Sequence, residues 1–413
     1  MRSGRCWILV AGCVLLGMAG CRTPKQEGGL GFAATDLEVV ERKLALPDVS
    51  QAVDDTADPI HAKVEQYHRL SAEEVRVLAC SRAAAAGLIE AMAAEPPSTF
   101  PIIKSHTSAD KLRRITATNL ANEARLRTAG AALDLYYRLQ EAELLTDVLA
   151  QSQAEVDRLV ESGKVMSERG FTESADYLKL RQQQIELRAD RAKLQNGIDR
   201  LNLELKAILA LDTTSGRLLP ADAIRVDAEL LDADRAVQIA IAQRPDLQTI
   251  RDLANRLDQR SVDAVRQTFA GLVPPLGAVT AASKVFAPGL RLFFPALANG
   301  DVEGLRKQLR MNLADREREA AKDVRSTVGE WHLQRDLVAI ARQRQALEVE
   351  NVRELTVKKQ KGASVEVEYR RALIAKLTAD ANVIREAVKW KQIDVRARRE
   401  MGLLCGGNGS GCK

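Results

Sequence analysis

The sequence predicts a mainly α protein built from two copies of a long helical hairpin. Three observations carry this. The twelve prolines are confined, leaving two proline-free runs of equal length at 102–219 and 296–413. Proline costs roughly 3 kcal/mol inside a helix, so its exclusion marks long helices. Aromatic residues make up only 4% of the 413 residues, too few for a sandwich, propeller or large barrel. The two halves also overlay. Gly170 and Gly362, Tyr177 and Tyr369, Ala189 and Ala381, and Leu201 and Ile393 all stand 192 residues apart, as a duplication requires.

The chain begins with an address. Arg2 and Arg5 precede an apolar stretch from Cys6 to Leu16, then Gly17-Met18-Ala19-Gly20-Cys21. This is the layout of a secretory signal, with an apolar core too short to span a bilayer. Its end resembles a bacterial lipobox, with Met18 where Leu is usual, so residues 1–20 read as a lipoprotein signal peptide and Cys21 as the lipidated residue. Residues 21–69 are rich in Gly, Asp, Pro and Thr and read as a flexible tether.

Residues 70–220 form the first repeat and 221–404 the second. Both open on a helix N-cap, Ser71 or Asp232, followed by acidic residues that suit a helix start. These openings lie only 161 apart, so the second repeat carries extra residues between about 254 and 312. Within that insert, at about 269–300, Leu276–Phe286 and Leu290–Phe294 read as short strands around Ala287-Pro288-Gly289. The matching place in the first repeat, about 93–111, has almost no room for a strand pair.

The long helices follow from spacing. Leu180, Leu187, Leu194, Ile198, Leu201, Leu205 and Ile208 step mostly by 3, 4 or 7, as do Leu377, Ala381, Ile384, Val388 and Val395. Such steps keep one apolar seam toward a partner helix. Each run folds back at a glycine, Gly170 or Gly362. The tail, 405–413, is Gly-rich. Cys405 and Cys412 bracket it and are spaced to close a small loop in an oxidising compartment; the alternative is a frayed tail with two thiols.

Function classes narrow by exclusion. A net charge of +5 from 61 basic and 56 acidic residues is a mixed surface, not the basic face of a nucleic-acid binder. The four histidines, His61, His68, His106 and His332, show no metal-ligand spacing. No phosphate-cradling loop or nucleophile elbow occurs. The chain reads as neither an enzyme nor a cofactor binder.

With the repeats and Arg244-Pro245-Asp246-Leu247 in view, the chain resembles the TolC-type outer-membrane efflux proteins. Members commonly open their second half with such a tetrapeptide, here a structural joint. The resemblance covers about 70–404 and implies an elongated α-barrel subunit with a reduced β-hairpin insert in its second repeat. It implies a homotrimer in the bacterial outer membrane, most of it periplasmic. It also implies a periplasmic adaptor and an inner-membrane pump docked on the hairpin tips, at Arg169, Gly170 and Phe171 and at Lys361, Gly362 and Ala363. The chain would be a passive exit duct of a tripartite export system. Phe286, Phe293 and Phe294 are then candidates for a membrane interface. The shortness of both inserts keeps an alternative open: a lipid-anchored periplasmic scaffold without a pore. One hairpin per subunit gives a trimer six strands, below the usual minimum of about eight.

Overall fold

The computed structural model describes residues 68–94, 108–169, 174–213, 216–226, 232–259, 261 and 302–405. Its elements are β1 (His68–Leu70), α1 (Ala72–Ser81), α2 (Ala84–Ala94), α3 (Ser108–Glu168) and α4 (Ser174–Ile208). These are followed by β2 (Leu218–Pro220), α5 (Ala233–Gln243), α6 (Pro245–Arg256), α7 (Val302–Gln360) and α8 (Glu366–Glu400).

The duplication is visible element by element. α1 and α2 recur as α5 and α6 at an offset of 161, since Ala72 maps to Ala233 and Ala84 to Pro245. α4 recurs as α8 at 192, since Ser174 maps to Glu366. The outgoing helices hold 61 and 59 residues and the returning helices 35 each. The change of offset falls between α6 and α7, where the insert was expected. The expected strands at 269–300, with Phe286, Phe293 and Phe294, lie outside the described residues, as do Cys21 and the signal.

Both caps form where the sequence placed them. Ser71 Oγ accepts from Glu74 N at 3.2 Å, and Ser71 N donates to Glu74 Oε2 at 2.7 Å, a reciprocal capping box. Asp232 Oδ1 accepts from Asp234 N at 3.1 Å.

The chain packs as two units. One comprises the described parts of Leu145–Ile198 and Arg344–Ala381. In it α4 lies on α3: Gln184 Nε2 donates to Asp157 Oδ1 at 2.6 Å, and Gly163 leaves room for Leu180 and Tyr177. α3 is joined to α8 and α8 to α7, the latter through Gln345 and Asp380 at 2.7 Å.

The other unit comprises the described parts of Gly29–Leu144, Asp199–Gln343 and Asn382–Lys413. Trp331 of α7 and Trp390 of α8 are both fully buried, with ring centroids 4.5 Å apart. Leu112, Leu253, Ala254, Leu257, Leu305 and Leu309 form one apolar cluster joining α3, α6 and α7. Ala83, Ala86 and Ile89 pack on Ala117, Leu120 and Ala121 of α3 in another.

Two features differ from the sequence reading. β1 and β2 pair in parallel, His68 with Leu218 and Leu70 with Pro220. β1 thus begins inside the stretch read as tether. The pair is fixed from both sides. Asn202 Oδ1 accepts from Leu218 N at 2.7 Å, Arg217 Nη2 donates to Glu143 Oε1 at 2.6 Å, and Tyr136 Oη donates to Asp222 Oδ2 at 3.1 Å. Burial, then the Asp222 carboxylate, pushes the Tyr136 phenol well above its ordinary range, so it stays a donor.

The second difference is the disulfide. Cys405 is bonded to Cys80, not to Cys412. Cys80 is buried on α1, and the turn after α8 brings Cys405 to a Cα separation of 6.0 Å, the ordinary bridging distance. Cys412 lies outside the described residues.

Candidate functional site at the hairpin tips and edge helices

The second hairpin turns through a glycine. Lys361 N donates to Val357 O at 3.1 Å, Gly362 N to Lys359 O at 3.0 Å and Ala363 N to Lys358 O at 3.1 Å, so three carbonyls of the last turn of α7 are satisfied. Gly362 sits at φ +83, the left-handed conformation that glycine adopts without penalty. Lys361, Gly362 and Ala363 are all exposed.

Charged groups brace the turn just behind it. Lys359 Nζ lies 2.6 Å from Glu366 Oε2 and 4.8 Å from the Tyr369 ring centroid. The Lys359 hydrogen bond holds the Glu366 carboxyl below the usual range. Arg370 pairs with Glu366 one turn back and reaches across to Glu155 of α3 at 2.9 Å. Arg370 and Glu155 are 19% and 12% exposed, so this pair is better shielded than an ordinary surface bridge. It joins the returning helix of one hairpin to the outgoing helix of the other.

At the first tip, Arg169 is exposed and its N–H donates to Val165 O at 3.2 Å. Gly170 and Phe171 lie outside the described residues. The sequence reading missed Gly163, where a Cβ would come within 3.3 Å of Leu180. Its signal was a glycine seven residues before the turn, inside a helical run.

Arg244, Pro245, Asp246 and Leu247 form the joint between α5 and α6. Arg244 ends one helix and caps the next, and Pro245 takes the first helical turn, where no N–H partner is needed. Arg244 grips Asp246 with two hydrogen bonds, 3.1 and 2.8 Å. Against the cost of burial, those bonds hold the Asp246 carboxyl below its ordinary range. Leu247 is fully buried. Gly402, at φ +77 after α8, packs on this joint: a Cβ there would meet Gln243 O at 2.9 Å. Its repeat partner is Ala210, at φ 48 after α4, beside Arg82, which donates to Leu209 O at 3.2 Å.

Exposed apolar side chains are unevenly shared among the long helices. Among the described residues, α4 exposes Leu178, Ile185 and Leu203, and α7 exposes Met311, Leu333, Ile340, Leu347, Val349 and Val357. α8 exposes no large apolar side chain, and α3 only Val165 and Met166 in its last turn. In each unit taken alone, α4 and α7 therefore present uncovered apolar edges while α3 and α8 are packed. No described helix is long and apolar enough to cross a membrane.

No sequence-family model matches the chain, and no curated protein matches it. Solved structures do. The Campylobacter jejuni CmeC outer membrane channel aligns at a TM-score of 0.53 and 9% identity, over 80% of this chain and 85% of that one. CusC, solved in a study of folding and transmembrane channel formation, aligns at a TM-score of 0.50 and 14% identity, over 73% of each chain. The fold is that of the TolC-type outer-membrane channels. The likeness to this TolC-type fold is one of fold alone, and the identity is too low to carry residue roles across.

Proposed function

We propose that the chain is the exit duct of a tripartite export system in the bacterial outer membrane. It would act as a homotrimer, anchored through lipid on Cys21 and a small β segment. The exposed tip at Lys361, Gly362 and Ala363, with Arg169, Gly170 and Phe171 of the first hairpin, would receive a periplasmic adaptor and an inner-membrane pump. The chain supplies a passage and a docking surface, and the pump supplies the energy.

The observation that carries this reading is the placement of uncovered apolar residues on α4 and α7. The two edges lie on different helices. They suit a head-to-tail contact, α4 of one copy on α7 of the next, which makes a ring when the rotation between copies closes. The disulfide agrees with an oxidising compartment outside the cytoplasm.

One observation favours the scaffold alternative. Only residues 95–107 join α2 to α3, whereas two membrane-crossing strands need about 9–11 residues each. Two measurements separate the readings. The native mass of the detergent-extracted protein should be three times that of one chain, and a monomer would defeat the duct. Given a trimer, planar-bilayer conductance supports the duct, and its absence supports the scaffold.

A further inference from the structure

Resting on the proposed reading of the chain as exported, we infer that the fold is completed by an oxidation carried out after export, by thiol–disulfide exchange with a disulfide-bearing oxidant protein. The sequence proximity of Cys405 to Cys412 would favour a local loop, yet the bond that the fold accommodates joins Cys405 to Cys80 across 325 residues. Both cysteines must have been made and must stand in one oxidising compartment when it closes, so the bond cannot form while the chain between them is still being synthesised.

The place is built for the bond. Met401 and Leu404 are buried at 4% and 1% exposure. The Leu404 carbonyl accepts from Arg76 Nη1 of α1. Gly130 of α3 leaves room for Arg399 and Leu404, where a Cβ would come within 3.0 and 3.7 Å. The turn after α8 is held as well, by Leu403 N donating to Arg398 O at 2.7 Å. α1 and the 401–405 segment are therefore seated on each other by noncovalent contacts, and the seat presents the two sulfurs to one another.

The chemistry balances as follows. One of the two thiolates attacks a sulfur of the oxidant's disulfide, forming a mixed disulfide and releasing the oxidant's other sulfur as a thiolate. The second thiolate then attacks the chain's sulfur in the mixed disulfide. The Cys80–Cys405 bond forms, and the oxidant leaves as a dithiol carrying two electrons and the two protons lost by the chain. Such bonds form and persist in exported compartments and are rare where thiols are kept reduced.

The test uses the full-length chain expressed in bacteria with and without their periplasmic disulfide-donating oxidant. Cells are acid-quenched, denatured and alkylated, and cysteine peptides are read by mass spectrometry, so the readout does not depend on folding. A Cys80-peptide linked to a Cys405-peptide is expected in oxidant-proficient cells, with the linked fraction falling several-fold without the oxidant. Three results would overturn the inference: free Cys80 and Cys405 in the exported chain, Cys405 linked to Cys412, or an unchanged linked fraction in cells lacking the oxidant.

Discussion

Gly402 and Ala210 occupy the same place in the two repeats, after α8 and after α4, and both have positive φ. Substituting them in opposite directions weighs backbone strain against close packing. In Gly402→Ala the left-handed conformation costs about 1–2 kcal/mol. The new Cβ would also meet Gln243 O at 2.9 Å and Gln243 C at 3.0 Å. Those are backbone atoms and cannot swing aside, so relief by a local shift adds about 1–3 kcal/mol. The total is roughly 2–5 kcal/mol. Unfolding entropy of about 2.1 cal/mol/K per residue gives roughly 0.9 kcal/mol/K for 413 residues, so the Tm should fall by roughly 2–6 °C. Ala210→Gly relieves the strain at φ 48 but frees the unfolded chain, leaving a net gain of about 0.5 kcal/mol. Gly197 of α4 is the control, since a Cβ there meets nothing within 4 Å. Gly197→Ala should stabilise by about 0.5–1 kcal/mol. The assay is thermal unfolding by far-UV circular dichroism at one fixed protein concentration. If Gly402→Ala left the Tm within the error of Gly197→Ala, the close approach of Gly402 to the α5–α6 joint would be refuted.

Three further outcomes are expected. A double-mutant cycle on Arg370→Ala and Glu155→Ala should give a coupling of about 1.5–3 kcal/mol, the range of a charged hydrogen bond; additive effects would show that the pair does not hold the hairpins together. Burial raises the Glu123 and Glu400 carboxyls. A raised carboxyl contributes stability that is complete below its unfolded value, near 4.5, and is lost as pH rises through the folded value. Their contribution to the Tm should therefore decline as pH is raised above about 4.5, against the opposite trend of His332, whose pKa burial lowers. The Glu123→Gln, Glu400→Gln pair should flatten that decline without abolishing it, because Asp134 and Glu141 shift the same way; an unchanged slope would count against the assignment. Finally, Ile185→Lys on α4, where the side chain is 61% exposed, should leave the far-UV spectrum intact and reduce the native mass below that of a trimer, and an intact trimer would remove α4 from the interface.

The helices were legible because periodicity and proline are local signals. Leu377, Ile384, Val388 and Val395, picked out by spacing alone, are all buried. Burial did not follow the repeat, however. Ile185 aligns with Leu377, yet the first is 61% and the second 5% exposed. The cause is position: α8 has partners on both sides within the chain, whereas α4 lies at an edge, and the sequence pattern is the same for a seam inside one chain or between two. β1 and β2 escaped detection because three residues carry no alternation to read. The disulfide escaped because nearness along the chain favoured Cys412, while the bond follows nearness in space. The tip was half legible: a glycine announces a turn, but the partner of Arg370 lies 215 residues away.

The parallel pairing of β1 with β2 has a mechanical consequence. Any pull transmitted along the chain ahead of His68 enters the fold at β1. β2 is held at both ends by the chain it belongs to, so β1 is drawn lengthwise past it. Parallel ladder bonds slant but are evenly spaced along such a pull, so they share the load instead of parting one at a time. The bond from Ala72 N to Asp222 and the seat of Cys80 lie next in line. A three-residue strand thus diverts tension on the N-terminal segment sideways into β2, and through Asn202 and Glu143 into α4 and α3, before it reaches α1.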